Sequence, residues 1–531
     1  MKANISHLSN FKTQHIKILY YSQLDNYIRQ GYFFYKDDLD RLVLVTSGPV
    51  LLEQLIDINY NVQIQLITRK DFYQLLEQNF AHLNMIKAKY FLTLNTKQII
   101  AKNINYTKAL SVFFIIFFLI LFYFPLTFHL INITCYFIEN IFKTILFIRA
   151  VITETYPYIS YYKNSYWYDT LPIYTILIPM YKEAQKLSSI LHNVDNLIYP
   201  KEKLDVKIII EQDDYSMVQT ITSNLLPTYV HIVQVPPDHL RTKPKALNYA
   251  IQYCRGKYIV IYDAEDKPDC DQLLKSVYLF ENLPDEYACL QAKLNFYNAN
   301  ENLITRFFSL EYSLWFEHIL KGLSLFNLPV PLGGTSNHLK YEILHKVGFW
   351  DAYNVTEDAE LGIRLYSFGY KVCMIDSYTM EEAPIDLINW LSQRARWIKG
   401  FIQTFLVFLA QNNKSSKFKF YQIIAIAILV GFSPYGFLGL PFIMLTIKVN
   451  TIKIIDYIWL ANAFFATSYL YGCGLTILIK NRNLTILGSF SLILWPLYFI
   501  LHTIASYQSI LELLTSPFKW NKTKHGISKY E

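Results

Sequence analysis

Nothing in this 531-residue chain pairs cysteines at metal or redox spacing. Its six cysteines, at 135, 254, 270, 289, 373 and 473, form no Cys-x-x-Cys and stand beside no histidines at zinc spacing. A disulfide framework and a zinc site are therefore not expected, and a reducing compartment is the default. No internal repeat of solenoid length is visible, and no low-complexity tract. The first twenty residues, MKANISHLSNFKTQHIKILY, lack an apolar core, so no signal peptide is expected. Charge is scarce too: 17% of residues are charged against 53% hydrophobic, which points to partial residence in a bilayer. The net charge of +7 is spread thinly. It suits anionic lipid or an anionic substrate and is too diffuse for nucleic acid.

What is present divides the chain. Residues 1–105 read as a small soluble α+β unit, with RLVLVTS as a strand and RKDFYQLLEQNFAHL as an amphipathic helix. From Ala109 to Phe128 twenty residues carry no charge, enough to cross a hydrocarbon core. A second apolar stretch, near 130–150, carries Glu139 and Lys143, and the two are expected to form a transmembrane hairpin over 106–155. Within 160–385 apolar runs (YTILIP, VKIII, YIVIY) alternate with helical patterns, the signature of βαβ units around a mostly parallel sheet. An amphipathic helix is expected at the membrane surface over 386–412, with Arg394, Arg396 and Lys399 at headgroup level. Membrane helices follow over 420–513, near 421–447, 457–479 and 484–506. The first contains Pro434 and Pro441 and is the candidate for a re-entrant segment, and a basic tail closes the chain over 514–531. The short KNRN loop at 480–483 and the lysines of the tail cannot both lie inside with three simple spans.

Acids gather where strands end. YIVIYDAEDKPD runs from a buried strand into Asp263, Glu265 and Asp266, and VKIII runs into Glu211-Gln-Asp213-Asp214. Ligands of parallel sheets bind beyond the carboxyl ends of strands. Carboxylates there suit a hard divalent cation; the plain alternative is a solvated turn. Thr356-Glu357-Asp358 precedes a helix. It reads either as an N-cap with acids in the first turn or as a site in which Asp358 is a general base. Gln393, Arg396 and Trp397 share one helix face, and the planar fork of arginine suits a diphosphate. Arg241, Lys243 and Lys245 sit at a helix N-terminus, a favourable place for phosphate. PLGGTSNH, 331–338, is a glycine-rich turn that could let backbone approach a sugar.

Taken together, IYTILIPMYKEA, EQDD, KPKALNYA, YDAED, TED and, 35 residues on, QRARW resemble the motifs of membrane-embedded family 2 glycosyltransferases, the group of cellulose, chitin and hyaluronan synthases. The resemblance covers about 170–410 with the flanking membrane segments. It implies a GT-A (Rossmann-like) domain flanked by transmembrane helices, inverting transfer from a nucleotide-sugar donor, a UDP-sugar for preference, and a divalent cation, Mg²⁺ or Mn²⁺. It implies Asp358 as catalytic base. Glu211 or Asp213, Lys243, Lys245 and Arg396 would hold the donor nucleotide and diphosphate. Asp263 with Glu265 or Asp266 would hold the metal, and Glu357, Gln393 and Trp397 the acceptor. The second acid of the family's DxD motif is here Glu265, and neither a cyclic-dinucleotide domain nor an FxVTxKG loop follows. Residues 1–105 faintly resemble the small N-terminal domain of type II secretion ATPases, which suggests a site for a protein partner.

The resulting expectation is a hexosyltransferase in a bacterial inner membrane, its catalytic domain cytoplasmic, that extends a growing polysaccharide. Transfer of one sugar to a polyprenyl phosphate or glycolipid is the nearest alternative. A non-enzymatic membrane receptor or assembly protein that keeps the fold is the alternative from another class.

Overall fold

The computed structural model describes residues 5–7, 17–18, 24–36, 42–46, 63–153, 169–223, 226–411, 418–449, 453–480, 486–520, 522 and 528–529. Residues 481–483 of the KNRN loop and much of the basic tail lie outside these. A five-stranded sheet has the order β1 (Ile5–His7), β5 (Gln63–Leu66), β4 (Leu42–Thr46), β3 (Tyr32–Lys36), β2 (Lys17–Ile18). An eight-stranded sheet has the order β10 (Lys267–Pro268), β13 (Lys371–Glu381), β11 (Tyr287–Phe296), β12 (Asn337–Lys340), β9 (Tyr258–Ile261), β6 (Tyr174–Pro179), β7 (Leu204–Glu211), β8 (Val230–Val235).

The larger sheet is mixed. β9, β6, β7 and β8 run parallel, and β12 is antiparallel to both β9 and β11. The α/β class expected for the catalytic unit is therefore the class found. β6, β7 and β9 are buried on both faces, which is why they read as unbroken apolar runs. Ile176, Ile178, Val206, Ile208 and Ile210 enter one core, and their alternate neighbours Leu177, Ile209, Val233 and Val235 enter the other. The chain lays down β6, β7 and β8 outward, then returns to place β9 on the other side of β6. That reversal is a topological switch point, where open α/β sheets hold ligands beyond their carboxyl ends.

Around the sheet lie long apolar helices. Among the described residues four (Tyr106–Tyr123, Phe420–Ile443, Asp456–Ile479 and Phe490–Thr515) have the length and composition to cross a membrane. The uncharged run 109–128 does not form one helix, however. One helix stops at Tyr123, Phe124 leaves helical geometry, and the next helix, Pro125–Ile152, starts with proline in its first position. Proline cannot continue a helix without loss of a hydrogen bond and restricts the residue before it. The segment expected to be re-entrant is instead one helical column. It passes through a π-helical turn at Ala427–Phe432 into Ser433–Val449, with Pro434 at the start of that last stretch and Pro441 inside it.

The helix Arg69–Thr96, which follows the five-stranded sheet, lies against the catalytic unit. Asn84 Nδ2 donates to the Tyr253 hydroxyl at 2.7 Å, and the Lys207 ammonium sits 3.9 Å from the centroid of the Tyr73 ring.

Candidate functional site

One cavity of about 1350 Å³ opens at the switch point and extends among the membrane helices. Its polar end is lined by Met180 and Tyr181 after β6, Glu211 at the end of β7, Asp238–Lys243 after β8, and Asp263 and Glu265 after β9. Gly333, Gly334, Glu357, Asp358, Glu381, Gln393, Arg396 and Trp397 complete that end. Residues more than a hundred positions apart thus converge because strand ends and two helix starts face one space.

Of the three acids in YDAED, two face the cavity and one does not. A tight turn, with Asp266 N–H donating to Asp263 O at 3.1 Å, folds the third acid back. Asp266 is fully buried, and one oxygen accepts from Asp263 N–H at 2.8 Å and from the Thr335 hydroxyl. Burial, reinforced by the charges of Asp263 and Glu265, holds its carboxyl well above the ordinary range. Asp266 thus braces the loop through Asp263 N–H and Thr335 and stands outside the cavity lining, unlike the metal-facing place expected for it beside Asp263 and Glu265. Among the described residues no group of three or more His, Cys, Asp or Glu side chains is placed to hold an ion. The acids that face the cavity are Asp263 and Glu265, and burial plus the Asp263 charge pushes the Glu265 carboxyl up to about 7. Asp266→Asn is expected to leave sugar transfer within about three-fold of wild type, since an amide can keep both hydrogen bonds. Asp263→Asn should remove most of it; equal losses in a side-by-side transfer assay would return Asp266 to the site.

The two lysines of KPKALNYA part company in the same way. Lys243 Nζ reaches Asp263 Oδ1 at 2.5 Å and Gly334 O at 2.7 Å, inside the cavity. Burial works against its charge, but Asp263, Glu357 and Asp358 together more than compensate and raise its pKa. Lys245, fully buried, turns inward to Glu211 at 3.0 Å and does not line the cavity. This placement differs from the diphosphate-facing one expected for it: Lys245 neutralises Glu211, whose carboxyl burial raises. Glu211 is on the cavity wall; Asp213 lies outside the lining, in an exposed pair with Arg241. Asp214 caps the next helix, one oxygen accepting from Lys182 N–H at 2.7 Å and the other from Met217 N–H at 3.3 Å.

Thr356 does not cap the helix Glu357–Ser367; its hydroxyl makes no capping bond and lies 3.4 Å from Asn354 Oδ1. Instead the turn is latched to the helix Leu387–Ala410. Arg396 Nη1 donates to Val355 O at 3.2 Å, Val355 N–H donates to Gln403 Oε1 at 3.1 Å, and Asn354 Nδ2 donates to Thr404 Oγ1 at 3.0 Å. At the centre of these bonds Gly400 meets Thr356 so closely that a Cβ would stand 2.3 Å from Oγ1. Positions 396, 400, 403 and 404 share one helix face. Asp358 Oδ1 accepts from Ala359 N–H at 2.7 Å, and its other oxygen lies beside Gly334, where a Cβ would approach to 3.2 Å. Burial raises the Asp358 carboxyl; Ala359 N–H, Lys243 and Arg396 oppose that rise. Burial and the Asp358 charge push Glu357 up to about 8.

Gln393 and Trp397 both line the cavity, and Gln393 Oε1 is buried without a hydrogen-bond partner. Tyr312 stacks against Trp397 at 6.0 Å, and the Arg394 guanidinium lies 4.5 Å from its centroid. The helix is not an exposed headgroup contact. Arg394 grips Glu311 with both terminal nitrogens, and Lys399, fully buried, reaches Glu512 at 3.0 Å. These cations bind protein partners, which corrects their expected place among lipid headgroups.

Glu381, Trp520 and Lys522 are among the cavity residues that escaped the sequence reading. Glu381, at the end of β13, faces the Asp263 loop because Met380 pairs with Lys267 across the sheet. Trp520 and Lys522 come from the tail, whose described residues 516–520 and 522 line the cavity. Gln403 Nε2 donates to Pro517 O at 3.0 Å, the Arg396 guanidinium lies 4.4 Å from the Trp520 centroid, and Lys522 pairs with Glu183 at 2.7 Å. A tryptophan set among lysines in SPFKWNKTKHG was the available signal.

Comparison with known proteins finds glycosyltransferases. Residues 258–511 match the family described as glycosyl transferase family group 2. The probable glycosyltransferase YdaM of Bacillus subtilis is 30% identical over 251 residues, 45% of this chain and 58% of that protein. The beta-monoglucosyldiacylglycerol synthase of Trichormus variabilis is 28% identical over 244 residues, 45% of this chain and 50% of that protein. The chain thus spans little more than half the length of these relatives. Among solved structures, a mannosyltransferase from Pyrobaculum calidifontis in complex with GDP-Man and Mn²⁺ covers 73% of this chain and 97% of its own, at 15% identity and a TM-score of 0.49.

Proposed function

We propose that this chain, whose residues 258–511 match glycosyl transferase family group 2, moves a hexosyl group, with inversion, from a nucleoside-diphosphate sugar to an acceptor that arrives from the membrane. The observation that carries this reading is the single cavity that joins Asp263, Asp358, Arg396 and Trp397 to the space among the apolar helices. The donor lies at the ends of β7 and β9, with Glu211 toward the base and Lys243 and Arg396 beside the diphosphate. Asp358 takes the proton of the attacking hydroxyl. Glu357 keeps its own proton at neutral pH and so does not confront Asp358 with a second negative charge. Trp397, braced from behind by Tyr312 and Arg394, offers an aromatic surface to the acceptor sugar, and Gln393 a hydrogen-bonding group.

The paired acids Asp263 and Glu265 fit a divalent cation: two oxygen donors, crowded enough to raise Glu265, with room for diphosphate oxygens to complete the shell. When bound, Mg²⁺ or Mn²⁺ supplies charge neutralisation at the departing diphosphate.

A growing polysaccharide is the preferred acceptor. The membrane end of the cavity carries Glu139, Asn140, Lys143, Ser433 and Thr467, groups that suit hydroxyls and are costly among lipid tails alone. A glycolipid product is the second reading, favoured by the likeness to a glucosyldiacylglycerol synthase. The reading puts the catalytic unit on the cytoplasmic side, where nucleotide sugars are made. Purified protein in lipid nanodiscs, given labelled UDP- and GDP-sugars with Mn²⁺, tests both. Label in a large water-soluble product supports the polysaccharide, label extracted into organic solvent supports the lipid, and no transfer from any donor refutes the proposal.

A further inference from the structure

We propose that the N-terminal helix Arg69–Thr96 forms the outer wall of the donor end of the cleft, and that its Lys89 is a positioning residue for nucleotide-sugar binding. The inference rests on the donor reading above and concerns how that site is held. Lys89 lines the same cavity as Lys243 and Asp263, although nearly 150 residues separate it from the loop it meets. Its ammonium pairs with Asp238 Oδ2 at 2.6 Å, both side chains being about one-fifth exposed (21% and 17%). The other Asp238 oxygen accepts from Leu240 N–H at 2.9 Å.

Asp238 belongs to the short connection from β8 to the helix Lys243–Ala250. Pro236 and Pro237 stiffen its start; Arg241, Thr242 and Lys243, which line the donor end, form its end. A pin at Asp238 therefore sets where those groups stand. The same N-terminal helix holds the following helix as well, since Asn248 Nδ2 donates to Ala88 O at 2.9 Å and to Trp350 O at 2.8 Å. Residues 88 and 89 thus brace both the loop before Lys243 and the helix after it. Farther along, Glu77 meets His231 of β8 at 3.2 Å. A partly exposed ion pair stabilises a fold only modestly. A loop already ordered before the ligand arrives, however, saves the ordering cost of binding. The N-terminal unit is then a lever on donor affinity, with the chemical step untouched: whatever shifts this helix loosens Arg241 and Lys243 together.

The full chain in detergent is titrated with UDP-glucose, UDP-N-acetylglucosamine and GDP-mannose in turn, and the donor that wild type binds is used thereafter. Lys89→Met is expected to raise Kd and KM for that donor about 3- to 10-fold, with kcat within two-fold. Asp238→Asn, which keeps the bond to Leu240 N–H, should move them the same way, and Lys89→Arg should restore wild-type values. A loss confined to kcat, a Lys89→Arg variant as weak as Lys89→Met, or unchanged affinity in both neutral variants overturns the role of Lys89. Wild type that binds none of the three donors overturns the donor reading itself.

Discussion

Asp358→Asn should lower the rate of sugar transfer about 10³-fold and leave the affinity for the nucleotide sugar within two-fold. The amide keeps the size of the carboxyl and can accept from Ala359 N–H, so the turn survives. It cannot take a proton, and general bases contribute about 10²–10⁴ in rate. The side chain is suited to the task because burial raises its pKa, while Ala359 N–H, Lys243 and Arg396 keep the rise in check. The rate should fall as pH is lowered toward that raised pKa, because the base is then protonated, and the variant should lose this acid limb. Single-turnover transfer of a labelled sugar, with donor affinity measured separately, reads both quantities. Transfer within ten-fold of wild type would remove Asp358 as the base.

Gly400→Ala is the second large effect, at a position outside the cavity lining. A methyl group there would meet Thr356 Oγ1 at 2.3 Å, Cγ2 at 2.5 Å and Cβ at 2.8 Å. All three belong to the base of one short β-branched side chain, so the clash cannot be relieved by a flexible tip. The helix Leu387–Ala410 and the Thr356 turn must separate, which overpacking studies put at about 1–3 kcal/mol. Catalysis should suffer more than stability. The turn carries Glu357 and Asp358 and the helix carries Arg396 and Trp397, so a shift of the order of 1 Å between them should cost about 10²-fold in kcat. A thermal melt within a few degrees of wild type beside a hundredfold loss of turnover is the expected pair of results. Unchanged turnover would show that the two elements need not stay in register.

Much of the fold was legible because its parallel strands leave a simple trace. β6, β7 and β9 are buried on both faces and so appear as continuous apolar runs, and the acids after β9 mark a strand end. What remained hidden was direction. Lys243 and Lys245 are two residues apart on a helix, about 200° around its axis, so one enters the cleft and the other the core; no local pattern says which. Asp266 differs from Asp263 and Glu265 only through a turn that folds it back onto Asp263 N–H. Glu381 needed knowledge of pairing, since β13 lies parallel to β11 with Phe296 opposite Glu381, a register set across more than eighty residues. Charged residues of the Gln393–Trp397 helix suggested lipid headgroups because their partners, Glu311 and Glu512, lie on segments distant in sequence.

The tail that lines the cleft carries a consequence for the order in which the protein is made. A ribosome delivers Asp263, Asp358 and Arg396 before the helix Ile486–Thr515, and Trp520 and Lys522 only after it. The part of the wall that these two residues contribute is therefore absent until the helix Ile486–Thr515 has been synthesised, and a nascent chain that stops short of it holds Asp263, Asp358 and Arg396 beside an unfinished pocket.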